Sequence, residues 1–329
     1  VQSGRVTMTD VAREAGVSPM TVSYTYNRPQ RVSAETRARV LAAAEALGYA
    51  GPDPSARSLR YGATRNLGLV LGEHLTYAFD DPQAVVFLAG LAEVCAERGY
   101  GLLIVPTGTG DEDADRVRAA AVDAYVVWTT TEDDPVLAAT RSTRRPVVVH
   151  GGPELPGTTM IGIDNRAAAR AVGLEVFAGV RKPAVLSFPL DRNRETFVRT
   201  GLDPETVAFP VTRDRLAGYR DAARELGIDW STVPVGVCRT SDEGEARTIL
   251  RQLPDVDAVA AMSDQLALAA LPGRVSGWDD SAVAAEHDLT TIAQSLRAQG
   301  AACATTALGG DAPTHRDSWH LIRRASTSR

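Results

Sequence analysis

The stretch "VTMTDVAREAGVSPMTVSYTYN" near the start of the chain limits its fold more than any other. It holds two very short helical patterns on either side of Gly16. Isolated helices shorter than about 12 residues are marginal in water, so another element must cover both. Thr7-Met8-Thr9-Asp10 has capping-box spacing, a hydroxyl at the N-cap and a carboxylate three residues on. Val11, Ala12 and Ala15 form an apolar stripe, and Gly16 can take the positive φ that stops a helix. Ser18 is placed to cap the next helix, with Pro19 at its first position and Val22 and Tyr26 facing inward. After Ser33, a further cap, "AETRARVLAAAEAL" predicts a third helix that buries Val40, Leu41, Ala44 and Leu47 and ends at Gly48. Two short helices at a tight turn under a third form a helix-turn-helix, whose second helix enters the DNA major groove. The same three helices also suit a small bundle with no nucleic-acid role.

Charge bears on that choice. Residues 1–65 carry nine Arg and no Lys against five acidic residues, a net +4, whereas the whole chain is −6, leaving −10 for the remainder. A basic head on an acidic body suits nucleic-acid contact by the head, although nine arginines are only a modest enrichment.

The motifs then coincide with a known pattern. "TDVAREAGVSPMTVSYTYN…VSAETRARVLAAAEALGY" resembles the DNA-binding head of the lactose-repressor (LacI/GalR) family, and "ARSLRYGATRNLGLV" resembles that family's hinge and the first strand of its ligand-binding body. The resemblance runs over nearly the whole chain. It implies that Pro19 and Met20 reach base edges, that Thr7, Ser18, Thr21, Ser23, Asn27, Ser33 and Thr36 contact phosphates or bases, and that Tyr24 stands where many members have a guanine-reading arginine. Ala56, Arg57 and Leu59 match the hinge helix, with Leu59 at the minor-groove wedge. The spacer "YAGPDPSARSL" is one residue longer than the common form.

From Asn66 onward apolar runs alternate with helical patterns. "LGLVLG", "GLLIVP", "AYVVWT", "PVVVHG", "MIGID", "PAVLSF", "VPVGVC" and "DAVAAMS" predict strands, and segments such as "PQAVVFLAGLAEVCAERG" and "RDRLAGYRDAARELG" predict helices between them. This is the alternation of parallel α/β sheets. The expected fold is therefore a small all-α helix-turn-helix head with a hinge helix, followed by a two-subdomain α/β body like a periplasmic binding protein. The expected division is 1–52 for the head, 53–65 for the hinge and 66–329 for an effector-binding and dimerisation domain. Within the body, subdomain one covers about 66–163 and 290–310, and subdomain two about 164–289 and 311–329.

Ligands in such folds bind where strand carboxyl ends face each other across a cleft. The resemblance implies that Arg215 and Asp279 contact the effector, a donor fork facing a carboxylate acceptor that suits a polyol. Ser263 falls at a further contact position, and Phe79 and Trp128 are candidate walls. By spacing alone these are equally a surface arginine, a turn aspartate and core aromatics. Two departures bear on the effector. His150-Gly151 follow the "PVVV" strand where sugar-binding members often have an acidic residue, and in "LALAALPGRVSGWDD" only three residues separate Gly273 from Gly277, so a strand is expected to be missing at that edge.

Other chemistries lack their motifs. "TGTGDED" does not have the dinucleotide spacing, "DEDAD" at 111–115 is no calcium loop and reads as a solvated helix start, and no G-x-S-x-G, H-E-x-x-H or C-x-x-C occurs. The composition, 44% hydrophobic and 23% charged, is that of an ordinary soluble protein, with no membrane span and no basic-then-apolar leader. Three well-separated cysteines suggest reduced thiols and the cytoplasm. The reading is a cytoplasmic regulator of transcription, not an enzyme, without cofactor or metal, that represses as a homodimer on double-stranded operator DNA under control of a sugar or similar polar metabolite. A DNA-binding regulator that has lost small-molecule control and a solute-binding protein are the alternatives.

Overall fold

A computed structural model describes residues 6–51, 63–71, 79, 81–108, 110, 112–253 and 255–328. Residues 1–64 and 65–329 form two compact units. Ala56, Arg57 and Leu59 lie outside the described residues.

In the first unit α1 (Met8–Ala15), α2 (Pro19–Asn27) and α3 (Ala34–Leu47) surround one small core. The caps account for the boundaries. Asp10 N donates to Thr7 Oγ1 at 3.3 Å while Thr7 N donates back to Asp10 Oδ2 at 3.0 Å. Gly16 closes α1 at φ 63°, and the Ser18 and Ser33 hydroxyls accept from the third residues of α2 and α3. Val11, Val22 and Val40 are fully buried. One expected core residue is displaced: Leu41 is 41% exposed and Ala43 is buried instead, so α3 presents a narrower stripe centred on Val40, Ala43 and Ala44.

The second unit is a pair of α/β layers. β1 (Asn66–Leu71), α4 (Pro82–Arg98), β2 (Gly101–Val105), α5 (Asp113–Ala119), β3 (Ala124–Trp128), α6 (Pro135–Ser142), β4 (Val147–His150) and β5 (Thr159–Ile161) build a five-stranded parallel sheet in the order β2-β1-β3-β4-β5. β3 is buried along its whole length, as expected of a parallel strand with both faces covered. Asp113 in α5 is buried, where a solvated helix start was expected; it accepts from Gly108 N at 2.7 Å and Arg116 Nη1 at 2.8 Å.

After β5 the chain enters α7 (Asn165–Val176), β6 (Pro183–Ser187), β7 (Phe197–Thr200), α8 (Pro210–Glu225), β8 (Pro234–Val237), α9 (Glu243–Leu250), β9 (Ala258–Ala261), α10 (Asp264–Leu268), β10 (Arg274–Ser276) and α11 (Ala282–Glu286). The second sheet runs β10-β9-β6-β8-β7, parallel except for β7 against β8. The edge strand expected to be missing is present: β10 pairs in parallel with β9 through three residues, Arg274↔Ala258 to Ser276↔Ala260. The crossover, residues 262–273 with the short helix α10, is a dozen residues long, enough to return the chain in parallel. β11 (Thr291–Gln294) then leads into α12 (Leu296–Ala307), and β12 (Trp319–Ile322) returns antiparallel to β11. α12 packs on α4 of the first layer through glycines. A Cβ at Gly90 would lie 2.0 Å from Arg297 O, and one at Gly300 would lie 2.3 Å from Phe87 O.

Candidate functional site

On the head, α2 carries the residues that sequence placed at DNA. Pro19 is exposed, Met20 is 56% exposed, and Thr21 and Asn27 are half-buried. Thr7, Ser18 and Ser33 are exposed helix caps, and Thr36 lies in the first turn of α3, its amide donating to Ser33 Oγ at 3.2 Å. Hydrogen bonds from Thr7, with the Arg13 guanidinium close by, hold the Asp10 carboxyl below its usual range. Ser23 lies differently: it is 6% exposed, and the Asn27 amide donates to its carbonyl at 3.0 Å. Tyr24 is half-buried, and the Arg31 guanidinium lies 5.9 Å from its ring centroid. The departure at position 24 thus has a cation beside it, from a turn that the helical patterns gave no reason to include.

In the body, a cleft opens at the carboxyl ends of strands from both sheets. Trp128 and His150 end β3 and β4, while Phe188, Arg239, Ser263 and Asp279 follow β6, β8, β9 and β10. Of the residues expected there, Trp128, Arg215, Ser263 and Asp279 line the cleft. Phe79 does not line it and is 62% exposed.

The roles differ in kind. Arg215, on α8, is 5% exposed. Its Nε donates to Asn165 Oδ1 at 2.9 Å and its Nη1 to Met262 O at 2.5 Å. The guanidinium lies 3.8 Å from the Trp278 ring centroid and 5.4 Å from that of Phe188. It is a clamp in the cleft floor, joining α7, α8 and the end of β9. Ser263 caps α10, its Oγ accepting from Leu266 N at 3.1 Å. Asp264 beside it is 2% exposed and accepts from Ser281 N, Ser281 Oγ and Thr291 Oγ1, each at 2.8 Å. Burial raises its pKa against those bonds.

Asp279 sits at φ 104°, a region that side chains rarely adopt and that costs about 1–3 kcal/mol. Gln294 Nε2 donates to its Oδ1 at 2.8 Å. Burial, helped by the Asp264 carboxylate and opposed by Arg215, pushes its pKa up to about 7. Across the cleft, His150 is buried against two rings, with centroids 4.7 Å from Phe87 and 5.1 Å from Trp128. Its Nε2 lies 2.9 Å from Gln299 Oε1. Burial, with Arg215 and His315 adding repulsion, pushes its pKa down to about 4, so the ring is neutral at pH 7. Sequence reasoning noted His150 only as a departure and did not reach Gln294 or Gln299, since nothing local marks a glutamine that reaches another element. The cleft thus offers acceptors, polar amides, apolar walls and the guanidinium groups of Arg194, Arg215 and Arg239, a set that can hold a polar metabolite. Among the described residues no group of His, Cys, Asp and Glu could hold a metal ion.

Known proteins share both parts. Residues 7–51 match the family model for bacterial regulatory proteins of the lacI family. An HTH-type transcriptional regulator of Mycobacterium tuberculosis is 39% identical over 88% of this chain and 87% of its own. Among solved structures, a LacI-family transcriptional regulator from Corynebacterium glutamicum superposes with a TM-score of 0.74 at 29% identity, covering 99% of this chain and 100% of its own. The transcriptional regulator CelR in complex with cellobiose superposes with a TM-score of 0.64 at 26% identity, covering 98% and 100%.

Proposed function

The chain belongs to the LacI family of bacterial regulatory proteins, and from that premise we propose that this DNA-binding transcriptional regulator is a cytoplasmic repressor, not an enzyme, that holds a palindromic operator as a homodimer and responds to a neutral polyol or sugar in its cleft. The observation that carries the ligand class is the facing pair of acceptor-bearing walls, His150 on one side and Asp279 on the other, above the Arg215 clamp. The cellobiose bound by CelR, a protein of the same fold, supports a carbohydrate there. Pro19, Met20, Thr21 and Tyr24 on α2 would read base edges, with Thr7, Ser18, Asn27, Ser33 and Thr36 on phosphates, and Ala56, Arg57 and Leu59 in the minor groove. Ser23 has little surface to offer and would act by holding Asn27. Division at about 1–52, 53–65 and 66–329 would separate DNA reading, hinge and ligand sensing.

The test is selection of genomic DNA fragments by the purified full chain, with and without a pool of sugars and polyols. A single two-fold symmetric site, recovered less well with the pool, is the expected result. Enrichment without any shared sequence would overturn operator recognition, and recovery that ignores every pool component would overturn ligand control.

A further inference from the structure

α2 reads PMTVSYTYN and holds no charged side chain. Guanine shows two acceptors, O6 and N7, on its major-groove edge, and a two-pronged donor recognises it best. α2 has no arginine or lysine to supply one, and its one side-chain amide, on Asn27, is turned back to the Ser23 carbonyl at 3.0 Å. The turn that follows does carry a fork. Arg28 N donates to Tyr24 O at 2.8 Å and Arg31 N to Arg28 O at 2.9 Å, so the short turn Pro29–Arg31 continues directly from the end of α2. Met20 and Tyr24 are four residues apart and share one face of that helix, the face on which Met20 is 56% exposed. The Arg31 guanidinium lies 5.9 Å from the Tyr24 ring centroid, within the reach of a cation–π contact. Arg31 is exposed, and its guanidinium joins no carboxylate among the described residues. Arg13 on α1, by contrast, is engaged by Asp10.

We propose that Arg31 is a specificity-determining residue for the operator: the Tyr24 ring holds its guanidinium alongside α2, where it donates to O6 and N7 of one guanine in each half-site. This rests on the reading that α2 lies in the major groove of a two-fold symmetric site. A long side chain leaving a turn loses rotamer freedom when it binds, and an aromatic face that already restrains its planar head reduces that loss. Tyr24 is half-buried, so the platform is itself held in place. The exposed start of α2, Pro19 and Met20, offers only apolar contact and a weak acceptor, so guanine preference has to come from the turn. Arg28 is equally exposed but lies over no aromatic ring among the described residues, which makes it the natural control.

Selection from random double-stranded DNA by the full-length chain tests this, with the parent beside Arg31→Ala, Arg31→Lys, Arg28→Ala, Tyr24→Phe and Tyr24→Leu. The parent should select a symmetric site with a guanine at one position of each half-site, and Arg31→Ala should lose that guanine alone. Replacing the guanine in one half-site of the selected duplex should weaken the parent by about 5- to 140-fold, the worth of one bidentate contact. Arg31→Ala should bind the two duplexes about equally. Arg31→Lys keeps the charge but not the fork, so it should hold an unrelated duplex as the parent does and still lose most of the discrimination. Tyr24→Phe and Arg28→Ala should discriminate as the parent does, whereas Tyr24→Leu, without the ring, should discriminate less. An unchanged guanine in the sites selected by Arg31→Ala and Arg31→Lys overturns the proposal. So does a loss by Arg31→Ala that is uniform across sequences, with a salt slope lower by about 0.9 for each contact removed, since that marks a phosphate contact only. Full discrimination by Tyr24→Leu overturns the platform. If the parent itself selects no shared sequence, it is the operator reading that falls, and this proposal falls with it.

Discussion

Asp279 and Arg215 looked in sequence like a matched donor and acceptor for a ligand, but burial separates their roles. Arg215 already serves Asn165, the Met262 carbonyl and two aromatic faces, so its charge stabilises the floor and tunes what lies above it. Asp279 titrates near pH 7 because burial disfavours its charge more than Arg215 favours it. A carboxyl whose folded pKa is raised contributes stability that is fully present below its unfolded pKa, about 4, and is lost as pH rises through about 7. His150 works in the opposite sense: its folded value of about 4 lies below the unfolded 6.5, so its contribution is present above 6.5 and lost as pH falls toward 4. Asp279→Asn keeps an acceptor for Gln294 and removes the titration. The Tm of that variant minus the Tm of the parent should therefore become more positive between pH 5 and pH 8. A difference that stays level across that range would mean that Asp279 is ionised throughout.

Among the elements, α4 and α12 show how little volume separates a closed pair from an open one. Gly90 lies against the Arg297 carbonyl and Gly300 against the Phe87 carbonyl, at separations that no Cβ tolerates. The pair is further pinned by Arg297 Nε to Glu93 Oε2 at 3.1 Å. Gly90→Ala removes helix-interior flexibility, worth about 0.5–1 kcal/mol in favour of alanine, but overpacks a backbone contact at a cost of about 1–3 kcal/mol or more. The clash wins, and chemical denaturation should show a lower midpoint for Gly90→Ala; a higher midpoint would mean that the helices separate without penalty. Sequence revealed the caps of α1 to α3, because capping is written within four residues, and it revealed eight strands, because buried parallel strands are runs of Val, Ile, Leu and Ala. It did not reveal β7, β11 and β12, which are only partly apolar. It also misjudged β10, since three residues carry no periodicity and only pairing with β9 makes them a strand. The contacts that join Asp279, Gln294, Gln299 and His150 were invisible for a related reason: these residues meet only through the fold.

At the scale of the whole molecule the charge is divided, +4 over residues 1–65 and −10 beyond, in a chain of −6. Screening weakens such a field beyond about 8–10 Å at ordinary ionic strength, so it favours DNA for the basic end without making the whole chain polyanion-binding. Control by a ligand must therefore be a coupling free energy between two sites, and such coupling is reciprocal. If a polyol in the cleft lowers operator affinity by some factor, then operator DNA must lower polyol affinity by the same factor, typically about 5- to 150-fold. The measurement is a pair of titrations on one preparation at one salt concentration: ligand into free protein, and ligand into protein saturated with operator. Salt has to be held fixed because operator affinity falls steeply with it, by about 0.9 in log affinity per log salt for each phosphate neutralised. Equal factors in the two directions are expected. Ligand binding that operator leaves unchanged would mean that the cleft is occupied but uncoupled, and this chain would then be a DNA-binding regulator without small-molecule control. Its short β10 edge, which pairs with β9 and leads directly into Asp279, would be the first place to look for the lost link.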